Sequence, residues 1–182
     1  MHEPSKRPET VLAIGGHSAD MEFTCGAILE KYVQAGHRAV LLHCTPGEKG
    51  HPGKSPEDYE RQKREEAMAA AETLGAEARF LDYKGNQFPH DETARHAIAQ
   101  VIRDLRSTII LTHWKGDSHK DHRNAHLNTM DALSYDALSY AELPGFACRT
   151  SRIESIGCIS PKTGKWTLRF SLQGRCGSSG FR

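Results

Sequence analysis

The 182 residues suit one domain, with no length left for a second of full size. Lys+Arg 24 against Asp+Glu 23 leaves a formal charge of +1, which gives no general attraction to nucleic acid or anionic lipid, and 37% hydrophobic residues exclude a disordered chain. No apolar run approaches the ~18 residues of a membrane span, and the opening MHEPSKRPE has no h-region, so a cytoplasmic protein with no membrane or nucleic-acid partner is expected. The cysteines at 25, 44, 148, 158 and 176 are odd in number, scattered and without a CxxC pair, as free thiols in a reducing compartment are.

Residues 10–16, TVLAIGG, form a short apolar run closed by two glycines, which predicts a buried strand and its exit turn. Met21 to Gln34 is helix-compatible, with Gly36 as the C-cap, and His37 to Thr45 is apolar without alternation, like a strand covered on both faces. Residues 46–56 hold three prolines and three glycines in eleven positions, which predicts a long loop. A helix is expected over 57–74, a weak strand over 78–81, a helix over 91–105, a strand over 108–112 and a helix over 121–140. This alternation predicts an α/β domain over 1–145, with a mostly parallel sheet and helices on both faces.

Two polar segments follow predicted strands, where ligands bind in open α/β sheets. GGHSADME carries His17, Asp20 and Glu22; THWKGDSHKDHRNAH carries His113, Asp117, His119, Asp121, His122 and His126. Five imidazoles among four carboxylates point to a metal site, since clustered imidazoles repel on protonation unless a cation holds them. Imidazole with carboxylate and no thiolate suits zinc, or another first-row divalent ion such as iron, manganese or cobalt. A catalytic site wants three protein ligands and an open position. His17 and Asp20, three apart, can be presented by one turn, with the third ligand coming from the second segment.

The pattern strand–HxxDxE–helix, followed by a strand and HxDH, resembles the PIG-L/LmbE-like family of zinc-dependent N-acetylglucosaminyl deacetylases. The first motif is His17-Ser18-Ala19-Asp20-Met21-Glu22, beside the family's HPDDxE; the second is His119-Lys120-Asp121-His122, beside HPDH. Gly47-Glu48 and the run from Lys63-Arg64-Glu65-Glu66 to Leu74-Gly75 extend the resemblance across roughly residues 10–140. It implies a Rossmann-like fold, a zinc-dependent deacetylase acting on a sugar-containing N-acetylated small molecule, and a homo-oligomer. It also implies His17, Asp20 and His122 as metal ligands and His119 as a catalytic residue beside the open position, with Asp121 orienting it.

One position departs from the family. Ala19 stands where the family has the carboxylate that serves as general base, a role typically worth about 10²–10⁴-fold. Glu48, in the long loop, and Glu22, which also reads as a helix-N-terminal residue, are the candidate substitutes. The alternative expectation is a metal-binding protein of the same fold that has lost efficient catalysis and binds a small ligand. Arg64 reads as an ion-paired surface residue or as a substrate contact. Asp82 and Asn86 read as a plain turn or as contacts to sugar hydroxyls. His126, four after His122, is expected behind the ligands rather than among them, and His43 as a core histidine.

Residues 146–182 form an atypical tail. Arg149, Arg152, Lys162, Lys165, Arg169, Arg175 and Arg182 face Glu154 alone, and strands are conceivable at 153–159 and 165–172. Residues 158–166 admit codons that, read from the last base of the Cys158 codon, spell Tyr-Phe-Ala-Glu-Asn-Trp-Glu-Val. That resembles an aromatic-acidic stretch of the family. The expectation is a reading-frame slip between about Leu143 and Cys158, with 146–182 translated out of frame and packing poorly.

Overall fold

The computed structural model describes residues 8–137 and 152–156. In chain order it contains β1 (Thr10–His17), α1 (Asp20–Gln34), β2 (Arg38–Thr45), α2 (Pro56–Thr73), β3 (Glu77–Phe80), α3 (Glu92–Leu105), β4 (Ile109–His113), α4 (Lys120–Ala137) and β5 (Arg152–Ile156). The sheet order is β3-β2-β1-β4-β5, and all four pairings are parallel.

Local chemistry sets the element ends. Ser55 caps α2 by accepting the Asp58 N–H, with Pro56 in the first turn, and Asp91 caps α3 by accepting the Ala94 N–H. Gly75, at φ +66°, ends α2, a backbone region that glycine enters without a Cβ penalty. The α1 helix is different. Its N-cap is Ala19 at φ +86°, with no side-chain cap, and Asp20 and Glu22 supply the acidic first turn.

The central strands are apolar on both sides because both sides are covered. Leu12, Ile14, Val40, Leu42 and Ile110 pack with Ile98 and Ile102 of α3 and Ala125 and Ala132 of α4. Val11, Ala13, Leu41, Ile109 and Leu111 pack instead with Met21, Cys25 and Leu29 of α1 and Ala71 of α2. Helices therefore lie on both faces, as the sequence predicts. The strand order reverses between β1 and β4, so the carboxyl ends of these strands, His17 and His113, flank the crevice where open α/β sheets bind ligands.

The strand expected at 153–159 is present as β5 over 152–156 and pairs in parallel with β4. The strand expected at 165–172 and the rest of the tail lie outside the described residues. Within those residues no helix is long and apolar enough to cross a membrane.

Candidate metal centre

The tight turn after β1 brings the first polar segment onto the switch point. Asp20 Oδ2 accepts the His17 backbone N–H at 2.7 Å, folding residues 17–20 into one loop of donors. Gly16 is required for close approach: a Cβ there would lie 2.8 Å from His122 Cδ2. The second segment arrives through a turn held by Asp117, whose Oδ1 accepts the His119 N–H at 2.8 Å. Arg123 Nη1 donates to the carbonyls of Asp117 and Ser118 at 2.8 and 2.7 Å.

Three donor atoms converge. His17 Nδ1 and His122 Nε2 are 3.1 Å apart, and Asp20 Oδ2 lies 3.3 Å from the former and 3.2 Å from the latter. Bonds of 2.0–2.1 Å in tetrahedral geometry separate ligand atoms by about 3.3 Å, so the spacing accommodates a first-row divalent ion. Two overlapping groups, His17–His119–His122 and Asp20–His113–His122, extend the cluster. Among the described residues this is a histidine and aspartate cluster able to coordinate a divalent metal.

The electrostatics agree with that capacity. Burial disfavours a charged His17, but Asp121 and Asp20 outweigh it and hold its pKa up at about 9. His122 behaves alike, burial being overcome by Asp117 and Asp20, again to about 9. Burial also opposes ionisation of Asp20, yet His113, His122 and His17 hold its carboxyl far below the usual range. An anion ringed by imidazoles is where a cation can displace protons.

His113 is a participant that the sequence segment contains but that has no role in the expectations above. It is buried, its ring stacks on His122 with centroids 4.0 Å apart and planes 8° from parallel, and its Nε2 accepts the Gly16 N–H at 2.9 Å. The same Nε2 lies 3.2 Å from Asp20 Oδ2, so His113 meets the donor trio through Asp20. Burial lowers its pKa, keeping it neutral. Its place at the end of β4, across the switch point from His17, is the signal that identifies it.

Other expected residues fall differently. His119 lies with its ring centroid 4.7 Å from those of His17 and His122, beside the donor trio. Asp121 does not orient it through its carboxylate. Residues two apart at a helix start do not face each other, and the Asp121 carboxylate reaches His17 Nε2 at 3.1 Å and the Asn86 N–H at 2.6 Å. Only the Asp121 backbone N–H meets His119, at Nδ1, so a neutral His119 carries its proton on Nε2. Burial and the neighbouring His17 and His122 lower its pKa.

Neither proposed substitute base faces the trio. Glu48 is buried and accepts the Gly85 N–H with both oxygens, at 3.1 and 3.0 Å, so it is clamped rather than free to swing. Glu22 points to His43, with Oε1 3.6 Å from its Nε2, and burial raises the Glu22 pKa. His43 is buried against Phe80, and burial drops its pKa to about 4, so it is a neutral core residue.

Arg64 is paired to Glu60 at 3.0 Å and to Asp82 at 3.4 Å and lies over the Phe80 ring. Asp82 is otherwise exposed, and Asn86 contributes its backbone N–H to Asp121 from a left-handed turn at φ +62°. His126 is buried behind β4, with Nδ1 2.7 Å from the His113 carbonyl oxygen, so it supports the His113 backbone.

Residues 12–133 match the family described as GlcNAc-PI de-N-acetylase. A 4-oxalmesaconate hydratase of Pseudomonas putida is 28% identical over 130 residues, covering 67% of this chain and 49% of that protein. A 1D-myo-inositol 2-acetamido-2-deoxy-alpha-D-glucopyranoside deacetylase of Thermobifida fusca is 29% identical over 179 residues, covering 80% and 61%. The chain thus spans about half to three fifths of the length of these curated relatives. The solved N,N'-diacetylchitobiose deacetylase of Pyrococcus horikoshii superposes with a TM-score of 0.77 at 20% identity, over 84% of this chain and 61% of that one, a likeness of fold.

Proposed function

The chain belongs to the GlcNAc-PI de-N-acetylase (PIG-L) family, and on that premise we propose that it is a zinc-dependent deacetylase of an N-acetylated amino-sugar-type small molecule. The observation that carries this reading is the convergence of His17 Nδ1, Asp20 Oδ2 and His122 Nε2 within 3.3 Å at the β1–β4 switch point. These three residues would hold the ion. When bound, it supplies a Lewis acid for the amide carbonyl and a lower pKa for water.

The chain's own groups provide the rest. His119, beside the trio, carries one proton on Nε2 in the neutral ring and gives a proton to the leaving amine only after taking up a second, as the imidazolium. Its lowered pKa makes the protonated ring a stronger acid for that step. Asp121 and Asp117 hold His17 and His122 from behind. No carboxylate stands at position 19 to take the proton from the attacking water.

That absence favours a second reading, a ligand-binding protein with little turnover. The test incubates zinc-loaded protein with N-acetylated amino sugars and measures free amine. The panel includes an unsaturated carboxylate followed by loss of conjugated absorbance, because one relative is a hydratase. Amine release supports deacetylation. Hydration alone replaces it, and no turnover with tight calorimetric binding of one compound favours the binder.

The Ala19→Asp variant is the companion experiment. Position 19 already adopts a left-handed backbone that Asp enters more readily than Ala, so the change suits the local fold. A rate rising about 10-fold or more identifies the missing base as the defect. An unchanged rate means that another group serves.

A further inference from the structure

Two carboxylates stand behind the histidines rather than among the donor atoms. Asp121 Oδ2 lies 3.1 Å from His17 Nε2, the nitrogen remote from the trio. Asp117 Oδ2 lies 3.2 Å from His122 Nδ1, again the remote nitrogen, but the other one of the ring. Both carboxylates are buried, at 0% and 5% side-chain exposure. Asp117 Oδ2 and His122 Nδ1 are both buried without a well-aligned hydrogen bond and lie 3.2 Å apart, so each is the available partner of the other.

A neutral imidazole carries one N–H and one lone pair. A carboxylate facing Nε2 of His17 puts the proton there and leaves the lone pair on Nδ1; Asp117 does the reverse for His122. Chain geometry explains why the two differ. His17 ends β1 directly beside the site, with the Gly47 backbone against it, where a Cβ would lie 3.2 Å from His17 Cβ. Its near nitrogen therefore suffices. His122 reaches in from α4 and uses its far nitrogen. Its ring is held in plane by stacking on His113 and by the bare backbone of Gly16.

We infer that Asp117 and Asp121 are positioning residues that select opposite ring nitrogens, so that a divalent ion is held through Nδ1 of His17 and Nε2 of His122. This rests on the metal-site reading proposed above. Carboxylates behind ligating histidines typically change metal affinity 10–100-fold when removed.

The experiment uses the full chain loaded with zinc and labelled with ¹⁵N-histidine. Long-range ¹H–¹⁵N correlation is expected to show the N–H of His17 at Nε2 and that of His122 at Nδ1. Chelator competition is expected to give about 10–100-fold weaker zinc binding for Asp117→Ala and Asp121→Ala. Asp121→Asn, whose amide oxygen can stand where Oδ2 does and accept the same His17 N–H, should retain most of the affinity; it also serves if the alanine variant does not fold. Both rings coordinating through the same kind of nitrogen, or alanine variants that bind zinc as tightly as the wild type, would overturn the inference while leaving the metal site standing. Wild-type protein that takes up no zinc, cobalt or nickel overturns both.

Discussion

Gly16 shows how closely the site is built at the level of single atoms. The residue has ordinary backbone angles, so its requirement is purely one of space: an added Cβ would meet His122 Cδ2 at 2.8 Å and Asp20 Oδ2 at 3.4 Å. Gly16→Ala must push His122 off its stack on His113 or move the β1 exit. We expect zinc affinity by chelator competition to fall at least about 10-fold, the scale of a disturbed ligand orientation, with the circular dichroism spectrum unchanged. Unaltered affinity would mean that the ring has room to move. The candidate donors are legible in the sequence because their types and spacings are local. The partners behind them are not: Asp121 reads as the companion of nearby His119 and instead meets His17, more than a hundred residues away. Glu48 reads as mobile because its loop is rich in Gly and Pro, whereas Gly85, from another loop, fixes it.

Elements are more legible than contacts. Strands buried on both faces leave unbroken apolar runs, and the runs at 10–16, 37–45 and 108–112 lie within one or two residues of β1, β2 and β4. Four-residue β3, half-buried at the margin, leaves the weakest signal of the described strands before residue 137. The positions where glycine ends or interrupts a helix give a paired prediction. Gly75 combines φ +66° with a Cβ site 2.9 Å from Val33 Cγ1, so Gly75→Ala should cost roughly 1–2 kcal/mol for the backbone alone and lower Tm by about 2–8 °C. Gly26, inside α1, has only Leu74 nearby at 3.8 Å. Gly26→Ala gains helix propensity without a clash and should stabilise by about 0.5–1 kcal/mol. Thermal melts of the two variants check both signs; equal shifts in one direction would refute the packing account.

At the scale of the whole molecule, the strand order β3-β2-β1-β4-β5 is what makes one site from two distant segments, because it sets the ends of β1 and β4 side by side. That order depends on non-local pairing and no single stretch of sequence encodes it. The same sheet bears on the tail. Codons available for residues 158–166 allow the family's aromatic-acidic stretch in another frame, which implies a slip between about Leu143 and Cys158; the alternative is a native tail, whose β5 pairs in parallel with β4 from Ile109↔Arg152 to His113↔Ile156. The gene decides between them. With a slip, the nucleotide sequence over codons 143–182 should read Tyr-Phe-Ala-Glu-Asn-Trp-Glu or a near variant in an alternative frame. Restoring that frame should then raise both thermal stability and any amine-releasing activity. If neither alternative frame yields such a stretch, the tail is this protein's own, and removing β5 from the edge of β4 should destabilise the fold.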